Sequence, residues 1–265
     1  MIHANIPSSL TYRSSSDLVR VGGNNDGGYL VSQSDINSTD ILIGLGINED
    51  WSFEEQFRSL QKVKVFAYDA SINRSFFLKN LIKSSLRFYR PRRLLYNAKV
   101  FLSYIDFFGR DGVRHIAKFV GYDSCEKPIG DDFITLQSIL DTLYCDKIFL
   151  KIDVEGAEYR FLGTLIENQE RISGLVIEFH DCDLHFEKIV KFSEEFNLKL
   201  VHVHANNFAP IEQVNSLPTV LELTFSANAD NSEEPTFPHA LDMPNDPKQP
   251  EIKLCFWSAY PYSTI

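Results

Sequence analysis

Seven side chains able to move protons or hold cations fall at the ends of three apolar runs. Asp153 and Glu155 close KIFLKIDVEG, Glu178, His180 and Asp181 close LVIEFHD, and His202 and His204 sit in LKLVHVHANN. Imidazole titrates near neutral pH, which makes His180 and His204 candidate general bases. Carboxylates grip divalent cations, so Asp153 with Asp181 or Glu178 is a candidate site for Mg²⁺ or Mn²⁺ holding two oxygens of a diol. The density of acids favours the metal and the histidines favour the base, and residue types alone leave both open. Alternation along LVIEFHD puts Glu178 and His180 on one side and Phe179 and Asp181 on the other, so one pocket cannot take all four. His202 and His204 share a face, and one of the two is expected to be a hydrogen-bonded structural residue. Glu158, one turn into the next helical pattern, reads as N-terminal charge complementing the helix dipole. Asn206-Asn207 reads equally as a substrate contact or a turn.

Charge delivered to strand ends gains meaning from the elements around it. DILIGLG reads as a short buried strand, WSFEEQFRSL as an amphipathic helix with Trp51, Phe53, Phe57 and Leu60 apolar, and VKVFAYDAS as a second strand ending in Asp69, which makes one βαβ unit. RHIAKFVG, KIFLKIDVEG, LVIEFHD, LKLVHVHANN and TVLELTFS read as further strands. FITLQSILDTLY, AEYRFLGTLIENQERI and HFEKIVKFSEEFN read as helices between them, and KLCFWSAY as a strand closing the sheet. Strands alternating with helices predict a Rossmann-like, doubly wound and mostly parallel sheet of about seven strands with helices on both faces. In such sheets ligands bind beyond the carboxyl ends of the strands. The reading is one domain over 1–265, with a glycine-rich N-terminal segment (1–39), a helical insertion (72–110) and an acidic Pro/Asn-rich loop (226–250) expected to be a solvated excursion.

The totals narrow the class. With 265 residues, 44% of them hydrophobic, the chain can bury one sizeable core. A net charge of −10 argues against an extended nucleic-acid or anionic-membrane surface, while leaving room for a local basic patch. The four cysteines form no CxxC pair, as expected of reduced thiols in a cytoplasmic protein. No apolar run is long enough to span a membrane, and MIHANIPSSL lacks the basic start and apolar centre of a signal peptide. Residues 74–108 are locally basic and aromatic, broken at Pro91. They read either as a lid whose Arg87, Arg90, Arg92 and Arg93 hold an anionic group, or as a surface helix pair that packs on the core or on a second copy in a homodimer.

The first βα turn, Gly44-Leu45-Gly46, lets a ligand approach the backbone ahead of a helix N-terminus. Asp69 ends the second strand, where an acid can accept hydrogen bonds from both ribose hydroxyls; its plainer reading is a helix cap. The third glycine of a dinucleotide fingerprint is replaced by Glu49, an anion where a pyrophosphate would sit. A ligand with ribose and adenine but no phosphates fits better, and S-adenosylmethionine is such a ligand. The glycines of GGNNDGGY permit close backbone approach, which would let Asp26 reach the ligand's ammonium group or simply build a turn.

The stretch FLKIDVEGAEYRFLGTL resembles the signature of FkbM-type methyltransferases, and the likeness extends through RVGGNNDGGYLV, ILIGLGINEDWSFEEQF, LVIEFHD, VHVHANNFAP and LELTF. It implies a class I, S-adenosylmethionine-dependent enzyme that methylates a hydroxyl of a sugar, glycoconjugate or natural product. Gly44, Gly46 and Asp69 would then cradle the cofactor with Glu49 and Asp26, while Asp153, Glu155, His180 and His204 would line the reacting end. Leu42 stands where many class I enzymes carry an acid. Rival readings are a non-catalytic methyltransferase-fold scaffold, a nicotinamide-dependent oxidoreductase, and metal-dependent ester hydrolysis.

Overall fold

Runs such as ILIGL and ISGLVIEF are buried along their whole length, which a strand achieves only with layers packed on both faces of its sheet. The computed structural model describes residues 2–86, 91–122 and 132–257. The chain opens with β1 (Ile2–Pro7), β2 (Leu18–Gly22), β3 (Gly28–Ser32) and α1 (Gln33–Ser38). It continues through β4 (Ile41–Leu45), α2 (Ser52–Leu60), β5 (Lys64–Tyr68), α3 (Arg74–Ser85), α4 (Pro91–Phe108) and β6 (Val113–Ile116). A short pair, β7 (Phe119–Tyr122) and β8 (Phe133–Thr135), precedes α5 (Leu136–Asp141), β9 (Ile148–Ile152) and α6 (Leu162–Glu167). The last elements are β10 (Ile172–Phe179), α7 (Cys182–Glu195), β11 (Lys199–Ala205), β12 (Leu221–Ser226) and β13 (Ile252–Trp257).

Seven strands form one sheet in the order β6-β5-β4-β9-β10-β12-β11, with β12 alone antiparallel to its neighbours. This order, with the reversed strand in sixth place, is the class I methyltransferase form of the Rossmann-like fold. The chain winds outward from β4 one way and from β9 the other, so the switch point lies between their carboxyl ends. One face buries Leu45, Leu150, Ile152, Phe179 and Phe225 against α7 and its Phe186 and Phe192. The other buries Leu42, Phe149 and Val176 against Trp51, Phe53 and Phe57 around α2, with the β2-β3 hairpin beside them.

Several sequence readings change. KLCFWSAY does not close the main sheet: β13 pairs in parallel with β1 as a separate two-stranded ribbon. RHIAKFVG divides into β6 and β7, which belong to different sheets. AEYRFLGTLIENQERI is interrupted, with single 3₁₀ turns on either side of the six-residue α6. Nor is 226–250 merely solvated, since Asp242 and Asn245 are buried.

Glycine at 44 has a packing reason. A Cβ there would fall 2.3 Å from Oε1 of Glu54, so α2 lies close over β4 only because the side chain is absent. Glu54 is 1% exposed and its Oε1 has no hydrogen-bond partner. Burial pushes its carboxyl up to about 7, against the pull of Lys151. A raised folded-state value means that this group's stabilisation is complete below the unfolded value near pH 4.5 and is lost as pH rises through about 7. Glu54→Gln, which mimics the protonated acid, is therefore expected to match the parent in urea unfolding at pH 5. At pH 8 it should exceed it by about 2–3 kcal/mol; equal stability at both pH values would contradict the assignment.

Candidate active site at the strand switch point

A pocket of about 840 Å³ opens at the carboxyl ends of β4 and β9. Gly46 makes the junction. Its φ is +74°, and a Cβ would fall 1.6 Å from the backbone oxygen of Asp153, so only glycine allows the turn after β4 to touch the turn after β9. Lys151 completes the seam: its buried ammonium donates to the Gly46 carbonyl and lies 3.5 Å from Asp153. Burial disfavours that charge, but the carboxylates of Asp153, Glu54 and Glu178 outweigh it and hold the lysine above its usual range.

Of the residues expected to hold a cofactor, Gly46, Glu49, Asp69 and Asp26 line the pocket. Gly44 does not; it serves the α2 contact. Asp69 is already engaged. Its Oδ2 accepts from the backbone N–H groups of Ile47 (3.1 Å) and Asn48 (2.7 Å), and its Oδ1 from Ser71 N–H (2.7 Å) and Oγ (2.5 Å). The carboxylate thus clasps the glycine turn as well as facing the pocket. Leu42 is fully buried in the core, so no acid from that position reaches the ligand.

Asp153 and Glu155 line the pocket as well. His180 stands just behind them, half-buried, with Nε2 3.5 Å from Glu155, 3.9 Å from Glu178 and 4.0 Å from Asp153. Its other nitrogen is fixed by Glu158, a residue with no exposed surface. Glu158 Oε1 accepts the His180 backbone N–H at 2.6 Å and lies 3.3 Å from Nδ1, while Oε2 accepts from Gly156 N–H at 2.9 Å. Burial alone would lower the imidazole's pKa. The hydrogen bond and charge of Glu158, followed by Glu178 and Asp153, raise it to about 9. The expected helix-dipole role for Glu158 is therefore wrong: the helix starts later, at Leu162, and Glu158 turns inward.

The backbone is strained where these loops meet. Asn48, Glu155 and Asp181, one in each loop after β4, β9 and β10, are non-glycine residues with φ of 42°, 52° and 49°. Such strain persists only where surrounding contacts over-determine it, and it concentrates at functional sites.

Other candidates lie elsewhere. His204 is buried between Glu222 (3.0 Å) and Glu251 (3.1 Å), whose hydrogen bonds hold its pKa well above the ordinary value despite burial. It does not line the pocket. His202 pairs with Asp242 at 2.9 Å in the same buried layer, so both histidines of the pair are structural. Asp181 is exposed, with its side chain capping nothing, and it is not brought to Asp153. Glu178 accepts from the Tyr29 hydroxyl and the Asn206 side chain, and burial, then Asp153 and Glu222, push its pKa well up. The acids expected to join Asp153 are not the ones that gather with it; Asp153, Glu155 and His180 do, with donor atoms within 4.8 Å of one another. Lys151 was missed by the sequence reading, although a lone lysine inside an apolar strand demands buried counter-charges.

No family model matches the chain, and no curated protein matches it by sequence. Solved structures of similar shape include a precorrin-6y C5,15-methyltransferase from Geobacter metallireducens, at 13% identity over 73% of this chain and 84% of that one, with a TM-score of 0.39. The fibrillarin pre-rRNA processing protein of Methanococcus jannaschii gives 13%, 72%, 68% and 0.37. The M. jannaschii TYW2 protein, solved with AdoMet, gives 13%, 73%, 74% and 0.32. Likenesses this slight carry no inference; the class is read from the strand order itself.

The Glu158–His180 contact is testable in solution. In chelator-treated protein the His180 ring protons should titrate near pH 9 by NMR, as the raised value requires. Glu158→Gln should bring that value down by roughly one unit or more. An unchanged midpoint would remove Glu158 as the cause.

Proposed function

We propose that the chain is an S-adenosylmethionine-dependent methyltransferase of the FkbM type acting on a hydroxyl of a sugar, glycoconjugate or natural product. The observation that carries the cofactor is the charge of the pocket. Asp26, Glu49, Asp50, Asp69, Asp153 and Glu155 line it against Lys118, Lys151 and Arg160. Six acids against three bases suit a ligand bearing sulfonium and ammonium groups. They oppose a pyrophosphate, which disfavours the nicotinamide reading. Bound there, S-adenosylmethionine supplies an electrophilic methyl group. Asp69 would meet the ribose by exchanging its Ser71 hydroxyl contact for a ribose hydroxyl, and Phe119 and Val120 of the lining would face the adenine. With Leu42 withdrawn into the core, Asp26 and Glu49 are left to meet the amino-acid end.

At the reacting end the acceptor hydroxyl must be aligned with the methyl group and relieved of its proton. His180 already carries a proton at neutral pH, so alone it is a poor base. Its imidazolium sits where several carboxylates converge, which is the charge pattern of a cation site. Asp153, Glu155 and Nε2 of His180 would hold a divalent cation there once Nε2 releases its proton to solvent, with Glu158 orienting the ring as outer-shell carboxylates do. Such an ion would lower the acceptor's pKa as a Lewis acid. The acceptor class rests on the KIDVEGAE resemblance and not on a residue in the pocket.

Calorimetric titration with S-adenosylmethionine and S-adenosylhomocysteine, with and without Mg²⁺ or Mn²⁺, tests the reading. Micromolar binding is expected, weakened about tenfold or more by Asp69→Ala and retained in Ser71→Ala. Metal binding should be lost in His180→Ala while cofactor binding survives. Absence of cofactor binding to folded protein under all conditions would overturn the enzyme assignment in favour of a non-catalytic scaffold.

A further inference from the structure

The insertion between β5 and β6 has a charge unlike the rest of the molecule. Residues 72–105 hold eight of the 26 basic residues and none of the 36 acidic ones. Arg87 and Arg90 lie outside the described residues; the other six, Arg74, Lys79, Lys83, Arg92, Arg93 and Lys99, are all exposed. None of the six forms an ion pair among the described residues.

The same two helices leave apolar side chains in water. On α3 and its C-cap, Leu78, Ile82 and Leu86 recur every fourth residue and are 45%, 52% and 74% exposed, with Lys79 and Lys83 alongside. On α4, Leu95 and Leu102 are 69% and 66% exposed, and Arg92 and Lys99 interleave with them at helical spacing. The opposite sides of the pair are anchored: Phe77, Tyr104 and Phe107 are buried in the core around Trp51. The exposed leucines are thus surplus to folding.

We propose that the α3-α4 hairpin docks on the surface of an anionic lipid bilayer. Leucine stripes flanked by lysine and arginine match an interfacial helix, which sinks its apolar side chains among the acyl chains while its cations reach the headgroups. A second copy of this chain is a poor occupant, because two such stripes would bring only like charges together. A protein partner is also poorly matched, since the cores of protein interfaces are depleted in lysine. Tyr96 on α4 lines the pocket, so docking sets the pocket mouth at the headgroup level.

The test is co-sedimentation of the full chain with phosphatidylcholine vesicles prepared with and without phosphatidylglycerol. Each cation near an anionic leaflet is worth roughly a fivefold gain in partitioning. Binding should therefore be at least about tenfold stronger to the anionic vesicles and should fall as salt is raised. Lys79→Glu with Lys83→Glu, and separately Leu95→Ser with Leu102→Ser, should each remove about tenfold or more. Lys188→Glu with Lys191→Glu, a charge change on exposed positions of α7, should change nothing. All these positions are exposed, and circular dichroism with cofactor titration checks that the variants fold. Equal partitioning onto neutral and anionic vesicles would overturn the proposal. So would indifference to both hairpin variants, or a dimer in sedimentation equilibrium that Leu95→Ser with Leu102→Ser dissociates.

Discussion

One buried carboxylate holds the rim of this molecule together. Glu158 has no contact with solvent, and its two oxygens accept the backbone N–H of Gly156 after β9 and of His180 after β10. A buried carboxylate is tolerable only when its acceptor sites are met, and here meeting them ties two adjacent strand-end loops into one unit. The left-handed Glu155 and the orientation of His180 both depend on that tie. Removing the carboxylate would cost one hydrogen bond in each loop and would release the strained turn that points Glu155 at the pocket.

A second clasp repeats the device across the crevice. Asp69, at the end of β5, accepts from Ile47 and Asn48 in the turn after β4, while Lys151 holds the Gly46 carbonyl from β9. The buried charges continue outward along the same sheet face. Register places Glu178, Glu222 and His204 side by side on three neighbouring strands, and Tyr29, Asn206, Asn245 and Glu251 satisfy them from the covering segments. Charged groups buried this densely are stable only when partners meet them. This explains why the 226–250 segment folds back over the sheet and contributes Asn245.

The order of strands and helices was legible because periodicity and strand-end glycines report burial directly, and the sheet obeyed them from β4 to β12. The site was legible in part. Asp153, Glu155 and His180 were visible as charge at strand ends, and alternation correctly put Glu178 and His180 on one face. What failed were judgements that turn on partners distant in sequence. His204 has the composition of a base, yet it is neutralised by Glu222 and by Glu251, 47 residues further along. Glu158 has the position of a surface residue, yet α6 begins four residues later and leaves it facing inward. Neither outcome is encoded in local spacing; both follow from which loop covers which strand end.

Leu42 shows how charge has been redistributed around the switch point. On the first strand of the sheet this chain buries a leucine and brings a carboxylate from above, with Glu54 of α2 lying over Gly44. The charge of Glu54 acts on Lys151, and Lys151 in turn holds the carbonyl of Gly46. The central acid therefore supports the glycine turn and does not face the ligand, since Glu54 is sealed from the pocket. Asp26 and Glu49 are the acids left lining the pocket on loops outside the sheet, which the chain can vary without disturbing it. The centre of the fold keeps its charges for architecture, while the acidic lining of the pocket adjoins the basic α3-α4 hairpin at Tyr96.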